Sequence, residues 1–279
     1  MKITLYLNRL KATNPQDPKY CVELELTDNP EFWLALRQQM NWANQGSDEE
    51  FVQTVINRLS YYMSMITLKV GFPREDWMDN IVDLGGGMGL LAMCLAKYYH
   101  ARVLIIDKEV PGPVEQTIFS PEYRPQLNTW RFLAENLRLN DLSDQVSVID
   151  MDQLHMTSGE WLGPGVRADM VVSTASWCWH YPWDNYVKQV NDLLRGNGYV
   201  AIFAAANHLD QIQGLQEYFS WAHLKEPITF SRLQGLMSQD EFVRWVEFLK
   251  PENSFEEVAA YNLILEKACF DNNRGPRPD

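Results

Sequence analysis

Residues 81–89 read Ile-Val-Asp-Leu-Gly-Gly-Gly-Met-Gly, and the helix-prone run Leu90-Leu91-Ala92-Met93-Cys94-Leu95-Ala96-Lys97 follows at once. An apolar strand, a glycine turn and a helix in direct succession restrict the chain to an α/β architecture. Glycine suits such a turn because a residue without a side chain tolerates positive φ and lets another group approach the backbone closely. The spacing excludes one ligand class. A Gly-x-Gly-x-x-Gly dinucleotide fingerprint begun at Gly85 needs a third glycine where Leu90 stands, and begun at Gly87 needs one where Ala92 stands.

The pattern that fits is Asp83-x-Gly85-x-Gly87-x-Gly89, with Gly86 inside it. A carboxylate two residues ahead of the first glycine would repel a pyrophosphate, and could hold a cation such as an amino-acid ammonium. In its strand and helix setting the segment resembles the first motif of the class I S-adenosylmethionine-dependent methyltransferases. The resemblance implies a Rossmann-like, doubly wound, mostly parallel seven-stranded sheet. It implies S-adenosyl-L-methionine as cofactor, S-adenosyl-L-homocysteine as product, and Asp83, Gly85, Gly86, Gly87 and Gly89 as cofactor-binding residues.

The following segments can be laid against that family. Ala101 to Ile106 is apolar and rich in branched residues, as a buried parallel strand requires, and it closes on Asp107 and Lys108. In the family an acidic residue here accepts hydrogen bonds from both ribose hydroxyls, which suits the two acceptor oxygens of a carboxylate. Asn128 to Asn140 has helical periodicity, with Asn128 or Thr129 able to cap it. Val146 to Asp150 alternates like a strand and ends at Asp150-Met151, where the family places an adenine-binding Asp and an apolar residue against the ring. Asp152 competes for that role, and Leu154 favours Asp150 by its spacing. A fourth strand runs from Met170 to Ser173, a further candidate cofactor contact, with Asp169 read as structural. A fifth runs from Tyr199 to Ala204, after a helix from Asp184 to Leu194 and a turn at Arg195 to Gly198. Strands alternate with helices from 81 to 204, the pattern of a parallel doubly wound sheet. In such sheets ligands bind beyond the carboxyl ends of the strands.

Two loops carry the remaining chemistry. Residues 110–125 hold four prolines, which argue against regular structure, and the length suits a flap over cofactor or acceptor. After the fourth strand comes Ser173-Thr-Ala-Ser-Trp177-Cys178-Trp179-His180-Tyr181-Pro182-Trp183. In this fold that loop holds acceptor-binding and catalytic groups. Methyl transfer is an in-line displacement in which alignment dominates, and a hydroxyl nucleophile needs a base, for which His180 is the candidate. Trp177, Trp179 and Tyr181 offer flat faces for stacking on an acceptor, with core packing as the alternative. Over about a dozen residues the loop is similar to its equivalent in sugar O-methyltransferases, which suggests a sugar or other small hydroxylated acceptor.

The sequence divides into an N-terminal extension (1–75), a cofactor-binding domain (76–270) and a tail (271–279) expected to lack order. In the extension, Lys2 to Leu7 and Tyr20 to Leu26 can pair as a hairpin, ahead of helices at Pro30 to Asn44 and Asp48 to Val70. By analogy this region lids the acceptor pocket or mediates a homodimer. Near the C-terminus, Ser238 to Glu241 forms a capping box for a helix to Phe248. Phe255 to Val258 and Tyr261 to Leu265 suit the antiparallel hairpin that closes class I sheets. The chain carries 24 basic and 37 acidic residues, a net charge of -13, which is a poor basis for gripping nucleic acid. Scattered cysteines suggest neither zinc nor disulfides, and with no leader or membrane span a cytoplasmic enzyme is expected. Protein or RNA methylation, and a cofactor-binding scaffold without activity, are the competing functions.

Overall fold

The computed structural model of the chain describes residues 1–7, 20–40, 46–70, 78–108, 130–153, 161–174, 176–177, 181–205, 215, 219–223 and 260–266. The N-terminal hairpin forms as the alternation implies: β1 (Lys2–Tyr6) pairs antiparallel with β2 (Cys21–Glu25), and Ile3, Leu5, Val22 and Leu24 all turn inward. Helix α1 (Pro30–Gln39) starts where Asn29 accepts from the Glu31 N–H and Pro30 occupies the first turn, a favourable start because Pro lacks the N–H that would go unpaired there. Helix α2 spans Asp48–Val70, and Ser47 and Glu50 cap it reciprocally, an arrangement that satisfies two orphan amides at once.

The main sheet follows. Its elements are β3 (Asn80–Leu84), α3 (Leu90–Tyr99), β4 (Arg102–Asp107), α4 (Trp130–Leu139), β5 (Val146–Asp150), β6 (Ala168–Thr174), α5 (Val187–Leu193), β7 (Leu194–Ala205), β8 (Ser220–His223) and β9 (Ala260–Glu266). Seven strands lie in the order β5-β4-β3-β6-β7-β9-β8. The first five are parallel and β9 runs antiparallel to both of its neighbours. The order reverses direction between β3 and β6, and that switch is where such sheets open a crevice for ligands.

Three details differ from the sequence expectations. Strand β7 begins at Leu194, five residues before the expected start, because Leu194 pairs with Ala168; the pairing then jumps to Tyr199 with Met170, so that residues 195–198 bulge from the ladder. A short 3-10 turn, Trp183–Asn185, precedes α5 and shortens that helix at its start. The described partner of β9 on its outer side is β8 at 220–223, while the expected hairpin strand at 255–258 lies outside the described residues. So do the 110–125 loop, Leu154, the capping box and helix at 238–248, and the tail.

Helix α3 explains the layering. Nine of its ten residues are buried, whereas a helix lying on a sheet under solvent hides about half of its surface. One face packs on β3 and β4 and the other is covered by the N-terminal hairpin and α2, all within a single apolar cluster that includes Leu5, Leu24, Phe51, Met63, Met93 and Ile105. The opposite face of the sheet has its own cluster, built from Val82, Leu104, Ile106, Val171, Trp177, Tyr186 and Val190. Asp169 serves the amino end of the sheet: its carboxylate accepts from the Asp79 and Asn80 amides at 2.6 and 2.8 Å and pairs with Arg195 at 2.5 Å. The structural reading of this residue is correct.

Candidate functional site

The candidate site forms at the carboxyl ends of β3, β4, β5 and β6. At its centre, Gly85, Gly87 and Gly89 adopt φ of +76°, +57° and +73°, a region costly for any other residue. The surroundings add a second constraint. A Cβ on Gly85 would fall on the Ser176 side chain, one on Gly89 on Leu133, and one on Gly86 would lie 2.8 Å from Asp83 Oδ2. The turn's amides are largely spent within the protein: Gly85 N–H donates to the Ile106 carbonyl at 2.8 Å, Gly89 N–H to Gly86 at 2.9 Å, and Gly87 N–H to Asp107 Oδ2 at 2.6 Å. This is not the array of free N–H groups with which a phosphate loop cradles its anion, in agreement with the exclusion drawn from spacing.

Asp83 sits on β3 beneath this turn, fully buried, and neither carboxylate oxygen has a hydrogen-bond partner among the described residues. It is therefore a covered acid beneath the turn. Burial, reinforced by the nearby Asp107 carboxylate, pushes its pKa up to about 8, because removal from water disfavours the charged form. Asp107 ends β4 on the same face of the sheet. Its Oδ2 holds Gly87, its Oδ1 accepts from the Lys108 N–H at 2.7 Å, and burial raises its pKa to about 6 against the lowering effect of those two amides. Asp150 is the register neighbour of Asp107 across β4 and β5, and its Oδ1 accepts from the Asp152 N–H at 2.9 Å. Asp152, the rival, is exposed and paired with Lys108 at 2.6 Å. That pairing also turns the Lys108 ammonium to Asp152, while its backbone N–H serves Asp107.

Below Asp150 the half-buried Met151 is oriented by Tyr186, whose hydroxyl donates to the thioether sulfur at 3.2 Å. Tyr181 packs edge-on against Tyr186, with ring centroids 5.7 Å apart. Burial first, and then Asp107, raise the Tyr181 pKa, which places this phenol within the field of the carboxylate group.

Two expected contacts take other roles. Ser173 is fully buried; its hydroxyl donates to the Leu84 carbonyl at 2.8 Å and accepts from the Trp177 N–H at 2.9 Å. It fastens the end of β6 to the end of β3. Trp177 is also fully buried, its ring lies edge-on to Tyr186 and its Nε1–H donates to the Trp183 carbonyl at 3.0 Å. A ring enclosed on all sides cannot stack on an acceptor, so Trp177 is a core anchor and not the substrate contact expected of it. Trp179 and His180 lie outside the described residues.

Sequence reasoning missed Gln39, Ser176 and Tyr186. Ser176 and Tyr186 belong to segments already singled out, without a spacing to distinguish them. Gln39 comes from α1, and its carboxamide occupies the space beside Gly87 where a Cβ would stand.

No family model matches the chain, and no curated protein matches its sequence. Solved structures do match by shape. Geranyl diphosphate C-methyltransferase from Streptomyces coelicolor, crystallised with Mg2+, geranyl diphosphate and S-adenosyl-L-homocysteine, is 12% identical; the match covers 83% of this chain and 87% of that one, with a TM-score of 0.48. StiE O-MT is 12% identical over 84% and 82%, with a TM-score of 0.49. The cyclase SpnF is 12% identical over 75% and 81%, with a TM-score of 0.48. At such identities the function has to be read from the residues of the site itself.

Proposed function

We propose that the chain is an S-adenosylmethionine-dependent methyltransferase acting on a small hydroxylated acceptor, a sugar among the candidates. The observation that carries this reading is the pairing of Asp83 with Asp107 around a glycine turn whose own amides are already engaged. A buried carboxyl with no hydrogen-bond partner among the described residues stays protonated near neutral pH and ionises when a cation is brought against it, and a sulfonium-bearing amino acid brings two cationic groups. When bound, the cofactor supplies a methyl group already activated for displacement.

The residues of the chain then bind, orient and neutralise. Asp83 provides negative charge beneath the turn once a cation is bound against it, where Gly86 has no side chain to interpose. Asp107 retains acceptor capacity for a vicinal diol, since each carboxylate oxygen can accept more than one hydrogen bond and its orientation is set by the Gly87 and Lys108 amides. Asp150 and Met151 would read the edge and face of the adenine, with Tyr186 fixing the thioether. Ser173 holds β6 and the following loop in register with the turn. Tyr181 remains an acceptor-side residue, and His180 is the candidate base that takes the proton of an acceptor hydroxyl.

Titration calorimetry with S-adenosyl-L-homocysteine tests the premise: wild-type protein is expected to bind, and Asp83→Ala to lose at least tenfold in affinity. Absence of binding by the wild type would end the reading. Among labelled small hydroxylated compounds that accept the methyl group, His180→Ala is expected to bind cofactor normally and to turn over at least a hundredfold more slowly, the scale of a lost general base. An unchanged rate removes His180 from the mechanism.

A further inference from the structure

We infer that Gln39, on the last turn of α1, is the residue that reads the amino-acid end of the cofactor, so that the N-terminal layer completes the binding site. This rests on the S-adenosylmethionine reading and deepens it. The Gln39 carboxamide lies against Gly87, the same residue whose N–H is held by Asp107. Three elements distant in sequence, α1, the glycine turn and the end of β4, therefore converge on one point.

The chemistry of the donor set selects the group that Gln39 would meet. An amino-acid moiety is a zwitterion and needs a donor for its carboxylate as well as an acceptor for its ammonium. The amides of Gly85, Gly87 and Gly89 are engaged, and the polar side chains at the carboxyl ends of β3, β4 and β5 are the carboxylates Asp83, Asp107 and Asp150. The Lys108 ammonium is paired with Asp152. A carboxamide is the neutral group that donates and accepts together, and Gln39 brings one to the turn from outside the sheet.

Its position is held by the rest of its helix. Arg37 pairs with Asp48 at 2.6 Å and lies over the Phe51 ring at 4.5 Å. Phe32 packs edge-on to Phe132, and the Trp33 Nε1–H donates to the Thr27 carbonyl at 2.9 Å. Such fixing of a contact residue lowers the ordering cost on binding.

The test compares S-adenosyl-L-homocysteine with 5′-methylthioadenosine, which shares the adenosine and thioether but lacks the amino-acid end. Gln39→Met keeps length and packing while removing the hydrogen-bonding groups, and Gln39→Ala removes both. By calorimetry, each variant is expected to lose about tenfold in affinity for S-adenosyl-L-homocysteine and to bind 5′-methylthioadenosine within twofold of wild type, with the ligand-free melting temperature of Gln39→Met unchanged. Equal losses for both ligands would make Gln39 a general packing residue and overturn the proposal, as would no loss for either. If wild-type protein binds neither compound, the cofactor reading itself fails, an outcome distinct from either result in the variants.

Discussion

Asp83 is an acid that burial keeps protonated near neutral pH, and this makes the stability of the protein depend on pH. The folded pKa of about 8 lies far above the ordinary value of 3.8, so the folded state binds the proton more tightly than the unfolded one. The associated stability is fully present below about pH 4 and is lost as pH rises through about 8. Asp83→Asn, neutral at every pH, is expected to flatten this slope: its melting temperature should match wild type near or below pH 4 and exceed it by several degrees at pH 9. Scanning fluorimetry across that range checks this, and parallel curves for the two proteins would show that Asp83 does not titrate in the fold. The glycines were legible in the sequence because the backbone itself demands them through positive φ, and the acids because they stand at strand ends in the spacing of a known motif. Trp177 was not legible as a core anchor, since a tryptophan in a loop after β6 satisfies a core and a binding surface equally well. Gln39 was beyond reach for a different reason: its contact with Gly87 crosses 48 positions and leaves no periodicity behind.

Among the elements, the attachment of the N-terminal hairpin depends on two asparagines of α4 and its C-terminal end. Asn140 accepts from the Glu25 N–H at 2.9 Å and donates to the Glu25 carbonyl at 2.6 Å, while Asn136 accepts from the buried Thr27 N–H at 2.8 Å. This satisfies the outer edge of β2 with side chains instead of another strand, which also protects an edge that could pair with a second chain. Asn140→Ala leaves both Glu25 backbone groups without these partners and is expected to cost about 1–3 kcal/mol. Hydrogen exchange should show the loss as reduced protection confined to β1 and β2, with β3 and β4 unchanged; uniform loss across the sheet would mean that the hairpin and the sheet unfold as one. Helix α4 shows how far periodicity carries. Phe132, Leu133 and Leu137 gave the inward stripe, and Asn136 lies buried on the same face, where a polar residue breaks the pattern for a tertiary hydrogen bond that no local rule reveals. The start of β7 was missed on similar grounds, because the bulge at 195–198 is fixed by the partner strand β6.

At the scale of the whole molecule, the parallel part of the sheet follows from alternation of strands and helices and the antiparallel closing strand was expected from the family resemblance, but the depth of the N-terminal layer follows from neither. Its clue was present in α3, whose sequence LLAMCLAKYY holds a single charged residue, Lys97. An element apolar all round is covered on both sides, and even the Lys97 ammonium reaches the hairpin, donating to the Glu23 carbonyl at 2.9 Å. Deleting residues 1–78 would expose roughly four or five apolar side chains of α3 that a sheet-packed helix would otherwise present to water. At about 1.5–3 kcal/mol for each, the loss is on the order of 10 kcal/mol, comparable to the ~5–15 kcal/mol that holds a whole domain together. The truncated protein is therefore expected to lose cooperative thermal unfolding and to bind a hydrophobic dye strongly, rather than to persist as a folded domain relieved of a lid. A sharp melting transition from the truncated chain would show the N-terminal segment to be separable. If such a folded fragment also bound S-adenosyl-L-homocysteine as tightly as the full chain, the cofactor site would need nothing from α1.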